Sequence, residues 1–175
     1  MSQLILYIAT SLDGYVARSS GAVDWLFTDQ DYGYEDFYST CDRLIMGRKT
    51  YEQIQSWGDY PYPEKLGFVF SQTIKCDRKC DRDENVTFIS GDLVSFVKDL
   101  KLQSGKDIWL VGGAEIAKTC LENKLIDKLI LSIHPIVLGE GLALFSAPLP
   151  TLNLKLADSQ TFDTGLVQLT YNCLL

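Results

Sequence analysis

What this chain lacks narrows its function first. It has one histidine, His134, which falls in an expected strand, and one close cysteine pair, Cys76 and Cys80, with no second pair at ligand spacing. A structural zinc site takes four such ligands, so no metal is expected. No apolar run approaches the roughly 20 residues that span a bilayer. No basic n-region is present, and Gln3 to Ala9 is too short for a signal-peptide core, so membrane and export are not expected. Positive charge is scarce as well: 16 Lys and Arg against 23 Asp and Glu leave a formal charge of −7. A nucleic-acid backbone needs a basic face to displace its counterions, so nucleic acid is not expected as a partner. A small phosphorylated ligand remains open. The five cysteines are odd in number, which without an export signal implies reduced thiols and a cytoplasmic location. There is no internal repeat or low-complexity segment. At 175 residues and 46% hydrophobic, the chain reads as a single domain, 1–175, with a sizeable core.

What is present alternates between strand and helix patterns. Leu4 to Thr10, Arg43 to Met46, Gly67 to Phe70, Val86 to Ile89, Ile108 to Val111 and Leu129 to Ile133 read as strands. Tyr34, Phe37, Tyr38 and Cys41 recur at helical spacing, and Asp92 caps a helix carrying Leu93, Phe96, Val97 and Leu100. The tail, Leu154 to Phe162 and Leu166 to Leu174 around Asp163-Thr164-Gly165, reads as a hairpin. Helical crossovers imply a mainly parallel sheet with antiparallel strands added at one edge. The segment from Trp57 to Lys65, with Pro61 and Pro63, is expected to be a mobile lid.

Two strand-to-helix turns carry the chemistry. In Leu110-Val111-Gly112-Gly113-Ala114-Glu115-Ile116 a buried strand delivers paired glycines into the first turn of a helix. Glycine permits close backbone approach, and a helix N-terminus offers free N–H groups and partial positive charge, which suits a phosphate. The pattern lacks the third glycine of a Rossmann fingerprint, and a tight turn that needs glycine for steric reasons would look the same. Gly47-Arg48-Lys49-Thr50 also follows a strand and opens a helix, with two cations and a hydroxyl. Open α/β sheets bind ligands at the carboxyl ends of their strands, where two such turns could face each other.

In order and spacing, the chain resembles the dihydrofolate reductase-like superfamily. Within it, the likeness is to single-domain proteins similar to the reductase domain of the bifunctional deaminase–reductase of riboflavin biosynthesis. Ser11-Leu12-Asp13-Gly14-Tyr15-Val16-Ala17, Met46-Gly47-Arg48-Lys49-Thr50-Tyr51-Glu52, Val69-Phe70-Ser71 and Val111-Gly112-Gly113-Ala114-Glu115-Ile116 carry the resemblance. A weaker fifth segment is His134-Pro135-Ile136-Val137-Leu138-Gly139-Glu140-Gly141. The resemblance implies a three-layer α/β fold, NADPH as cofactor and a homodimer. It places the phosphates on Arg48, Lys49 and Thr50 beside Gly47, and the adenosine end near Ser71. The diphosphate would lie on Gly112, Gly113 and the N–H groups of Ala114, Glu115 and Ile116. It also implies a cis bond between the two glycines, and a nicotinamide flanked by Ala9 and the Ser11–Ala17 loop.

The acceptor is less constrained. Dihydrofolate reductases carry a carboxylate in the first long helix. Asp31, three residues before Tyr34 and seven before Tyr38, is the candidate acid, with a plain helix-start charge as the alternative. Asp13 is a second candidate, though Asp-Gly is also an ordinary turn. Ser132 falls where those enzymes have a strand hydroxyl near the pterin, or is a buried strand serine. Trp25 and Trp57 could stack on a planar heterocycle, or pack as core or lid aromatics. The segment after the Gly47 turn, Tyr51 to Tyr60, lacks the Asp-Asp-Pro of the riboflavin reductases. The reading is an NADPH-dependent reductase of the riboflavin type acting on a small heterocyclic, imine or carbonyl substrate. Dihydrofolate reductase and a non-catalytic nucleotide-binding module are the alternatives.

Overall fold

The computed structural model describes residues 1–73, 78–80 and 83–174, and Cys76 lies outside them. In chain order, β1 (Leu4–Ser11) and β2 (Tyr15–Ala17) precede α1 (Tyr34–Thr40), β3 (Cys41–Gly47) and α2 (Arg48–Ser56). Next come β4 (Leu66–Phe70), β5 (Arg78–Lys79), β6 (Val86–Ile89), α3 (Leu93–Leu102), β7 (Asp107–Gly112) and α4 (Ala114–Glu122). The chain ends with β8 (Lys128–His134), β9 (Leu142–Ala143), β10 (Asn153–Thr161) and β11 (Val167–Leu174). Among the described residues one sheet has nine strands, ordered β10-β11-β8-β1-β7-β3-β4-β6-β5. Its six central strands are parallel. The terminal hairpin adds two antiparallel strands beside β8, and β5 adds one at the other edge.

Alternating residues sort the core into two layers. Leu4, Leu6, Ile45, Ile108 and Leu110 face α3 and α4 through Val97, Leu100, Ala117, Cys120 and Leu121. Ile5, Leu44, Met46, Val69 and Trp109 face the other way, onto Phe37 of α1 and Tyr51 and Ile54 of α2. Helices therefore cover both faces, which is why the central strands read as unbroken apolar runs. Cys41, at helical spacing in the sequence, is instead the extended cap of α1 and the first residue of β3, so helix passes to strand without a linker.

Two features depart from the sequence reading. The short pair β2–β9 joins the segment after β1 to the segment after β8, and strands of three and two residues leave little periodic signal. The 57–65 segment is packed rather than free. Tyr60 is buried, Tyr62 packs against Trp109 with ring centroids 5.3 Å apart, and Asn85 donates to the Pro63 carbonyl. The Lys65 ammonium donates to the Tyr38 and Cys41 carbonyls at the end of α1 while lying 4.0 Å from the Tyr38 ring centroid.

Candidate active site

The sheet opens at its centre. Parallel pairing of β1 with β7 stops at Leu6–Leu110. Beyond that point β1 stays with β8 as far as Ser11–His134, and β7 stays with β3 as far as Met46–Gly112. The carboxyl-terminal halves of β1 and β7 thus part, and the crevice begins where open α/β sheets bind ligands. At its root the Trp109 indole N–H donates to the Tyr7 carbonyl at 3.1 Å.

Both glycine turns stand on the β7 side of this crevice and touch. A Cβ added to Gly113 would lie 3.1 Å from Thr50 Oγ1, and one added to Gly47 would lie 3.3 Å from Ile116 Cδ1. Gly112 has φ +126°, a backbone region that L side chains rarely adopt, and its peptide bond to Gly113 is cis. Gly113 and Gly47 are the N-caps of α4 and α2, and neither helix has a side-chain cap. Among the described residues two sets of helix-start N–H groups are therefore left without a carboxylate or hydroxyl, in a cradle that a Cβ would begin to fill. That chemistry fits a diphosphate.

The adenosine-side candidates converge one strand further out. Arg48 Nη1 donates to Thr73 Oγ1 at 2.8 Å, and Thr73 Oγ1 is 3.0 Å from the buried Ser71 Oγ. Glu52, one turn along α2, pairs with Arg48 Nε at 3.2 Å. Sequence reasoning missed Thr73, although a Ser-x-Thr just past a strand was there to find. Lys49 is exposed beside it, and Glu115 is exposed on the first turn of α4. If Arg48 meets the extra phosphate of NADPH, Arg48→Ala will weaken NADPH about 10- to 100-fold and NADH much less. Titrating both cofactors by fluorescence checks this; equal losses would remove Arg48 from that phosphate.

Across the crevice, Ala9 of β1 pairs with Ser132 of β8, which pairs with Gln168 of β11. Gln168 Nε2 donates to Ser132 Oγ and to the Tyr32 carbonyl, both at 3.1 Å, and lies 3.4 Å from the Tyr7 hydroxyl. Ser132 is thus a buried serine held by a side-chain network. Tyr7 and Gln168, absent from the sequence candidates, line a groove of about 280 Å³ beside α1 that runs past Ile5, Phe37 and Ile130 to Asp107 and Lys128, toward the amino-terminal ends of β7 and β8. The Tyr7 ring stacks on Phe37 at 4.4 Å, and burial raises its phenol pKa, so it stays a neutral donor.

Both candidate acids have other partners. Asp31 lies before the apolar stripe of α1, and its charge acts on the Tyr7 phenol. It is exposed, and its Oδ1 accepts the N–H groups of Tyr34 at 2.8 Å and Glu35 at 3.2 Å. Gly33, in the left-handed region at φ +79°, breaks the helical phase before α1 and lets Asp31 fold back over the helix start. Asp31→Ala will cost about 0.5–2 kcal/mol of stability and leave cofactor affinity unchanged, as thermal melts and titration can test. The Asp13 carboxylate accepts from Ser11 Oγ at 2.6 Å and from the N–H groups of Leu138 at 3.1 Å and Gly139 at 2.8 Å. The Ser11 hydroxyl foremost, with those N–H groups, holds its pKa below the usual carboxylate value, which suits an ionised acceptor and not a proton donor.

The tryptophans are placed differently from each other. Trp25 is buried edge-on against His134, centroids 5.1 Å apart, and stacks on nothing open. Trp57, 65% exposed, caps the far end of α2, a helix length of about 13 Å from the Gly47 turn. His134 is buried: Nε2 accepts the Phe27 N–H at 3.2 Å and Nδ1 donates to the Ser132 carbonyl at 3.2 Å. Burial pulls its pKa below the ordinary value, so protonation favours the unfolded chain. Its contribution is whole above about pH 6.5 and is lost as pH falls below that. Melting temperature should drop between pH 7.5 and 5.5, and His134→Gln should flatten that part of the profile.

Among the described residues no cluster of metal-binding side chains occurs and no helix is long and apolar enough to cross a membrane. Comparison with known proteins agrees with the geometry. Residues 2–168 match the RibD C-terminal domain model. Two Bacillus subtilis proteins of uncharacterised role are similar over nearly their whole length. YyaP is 37% identical over 97% of this chain and 94% of its own, and YwjB is 38% identical over 95% of each. A Shewanella sp. PV-4 structure named for riboflavin biosynthesis is 31% identical with a TM-score of 0.86, over 99% of both chains. The Thermotoga maritima diaminohydroxyphosphoribosylaminopyrimidine deaminase/5-amino-6-(5-phosphoribosylamino)uracil reductase shares the fold at 14% identity and TM-score 0.76. The match covers 99% of this chain but 57% of that longer one.

Proposed function

Because the chain belongs to the RibD C-terminal domain family, we propose that it is an NADPH-dependent reductase delivering hydride to a small heterocyclic or imine-type substrate. The observation that carries this reading is the crevice between β1 and β7, with two uncapped helix starts and two glycine turns in contact on one wall. A dinucleotide would have its diphosphate on Gly47, Thr50, Gly112, Gly113 and the N–H groups of Ala114, Glu115 and Ile116. Arg48, Lys49, Ser71 and Thr73 would take the adenosine-side phosphate. The nicotinamide half would lie toward Ala9 of β1, across the crevice from β7. When bound, NADPH supplies the hydride; the protein orients the partners and excludes water.

On the acceptor side the neutral donors are the Tyr7 phenol and the Ser132–Gln168 pair, beside the Ala9 position. They can hydrogen-bond a ring carbonyl or imine nitrogen. The dihydrofolate reductase alternative needs a helix carboxylate at the pocket, and the bonds from Asp31 Oδ1 to the start of α1 count against that role. The same reading takes the cytoplasm as the site of action and a homodimer as the working form. Strand β10 is exposed along its length with Leu154 and Leu156 outward, an edge that a second copy would protect.

The test is cofactor oxidation. Loss of NADPH absorbance with 5-amino-6-(5-phosphoribosylamino)uracil, and none with dihydrofolate, is the expected result. Failure of the wild-type protein to bind NADPH or NADH would sink the reductase reading and favour a non-catalytic domain.

A further inference from the structure

We propose that Asp13 is a positioning residue whose carboxylate latches the loop after β1 to the loop after β8, setting the wall that orders the nicotinamide half of the dinucleotide. This rests on the reductase reading above and assigns Asp13 a different task from proton donation. Three donors from two segments far apart in sequence converge on one side chain: Ser11 Oγ, and the N–H groups of Leu138 and Gly139. Around this clamp, Leu12 N–H donates to the Ile136 carbonyl at 2.8 Å and Leu144 N–H to the Gly14 carbonyl at 3.0 Å. Strands β2 and β9 pair just beyond it. The second segment is shaped for the contact. Gly139 has φ +77°, and Gly141, at φ +153°, leaves no room for a Cβ against the Ala17 carbonyl.

Position gives the latch its role. Ser11 ends β1, two residues past Ala9, and is paired with His134 at the end of β8. The latched loops therefore roof the β1 side of the crevice, opposite the two glycine turns. Leu12 and Val137, on the two joined segments, are 68% and 64% exposed. The adenosine end lies on the other side, by β3 and β4, so the latch should act on one half of the cofactor only.

That asymmetry is the test. In Asp13→Asn one acceptor oxygen becomes an amide group that cannot accept from a backbone N–H. Hydrogen exchange at the Gly139 amide, whose N–H is held by Oδ2, should quicken about 10- to 100-fold in the ligand-free protein, and that at Leu138, held by the oxygen that remains, should change less. NADPH and NADH affinity should fall about tenfold. Binding of 2′-phospho-ADP and ADP, which lack the nicotinamide half, should not change, and that invariance also shows that the variant is folded. Asp13→Glu, which keeps the charge on a longer arm, should recover part of both losses. Unchanged exchange, or unchanged dinucleotide affinity, overturns the latch. Equal losses for dinucleotide and fragment also overturn it, because they report general destabilisation. If the wild-type protein binds neither fragment nor dinucleotide, the cofactor reading itself falls and takes the coupling with it.

Discussion

Gly113→Ala will abolish NADPH binding in a protein that still folds. The added methyl carbon would stand 3.1 Å from Thr50 Oγ1, where the α4 start meets the α2 start. A threonine hydroxyl can turn away by a few tenths of an ångström, so the backbone need not move; Gly113 itself has φ −79°, which alanine adopts freely. The cost therefore falls on the ligand. A methyl group at a helix start keeps phosphate oxygens out of reach of the N–H groups, which lose charge-assisted bonds worth about 1.5–3 kcal/mol each. Two such bonds correspond to roughly a thousandfold or more in affinity. Fluorescence titration with NADPH measures the loss, and circular dichroism checks the fold. Near-normal affinity in a folded variant would take this turn out of the site.

Trp109→Ala will be the most damaging change to the scaffold, lowering stability by about 3–5 kcal/mol. Trp109 is 5% exposed and meets Tyr7, Tyr34, Phe37 and Tyr62 at centroid distances of 5.3–6.2 Å. Its removal opens a cavity among rings drawn from β1, α1 and the 57–65 segment. It also strips the Tyr7 carbonyl of the indole donor at the point where β1 and β7 part. The urea midpoint should shift strongly, and cofactor affinity should weaken in whatever fraction remains folded, because the root of the crevice loosens. A loss below about 1 kcal/mol, the size of an ordinary surface change, would mean that neighbouring rings close the gap and that the crevice does not depend on this residue.

The secondary structure was legible because its signals are local. Short apolar runs and period-3.6 apolar patterns, with Asp92 as a helix cap, placed the long strands and the helices. The two glycine turns were legible for the same reason: strand, glycine and helix start are contiguous in the chain. Carboxylate roles were not. Asp31 was extrapolated along the α1 stripe as though the helix began before it, but Gly33 breaks the phase and the side chain turns back onto backbone N–H groups. Asp13 reads as a turn residue or an acid, and nothing near it in sequence announces donors at Leu138 and Gly139.

The sequence by itself determined the layered α/β order, the family and the strand–glycine–helix turns that suit a dinucleotide, since each depends on residues within a few positions of one another. Only the tertiary structure decided that β1 and β7 separate after Leu6 and Leu110, so that a crevice exists at all. It alone decided that Gly113 lies against Thr50, that Thr73 joins Arg48, and that Tyr7, Ser132 and Gln168 share one network. These contacts join strands distant in the chain but neighbouring in the sheet. Strand order and register set them, and no local pattern in the chain encodes either one.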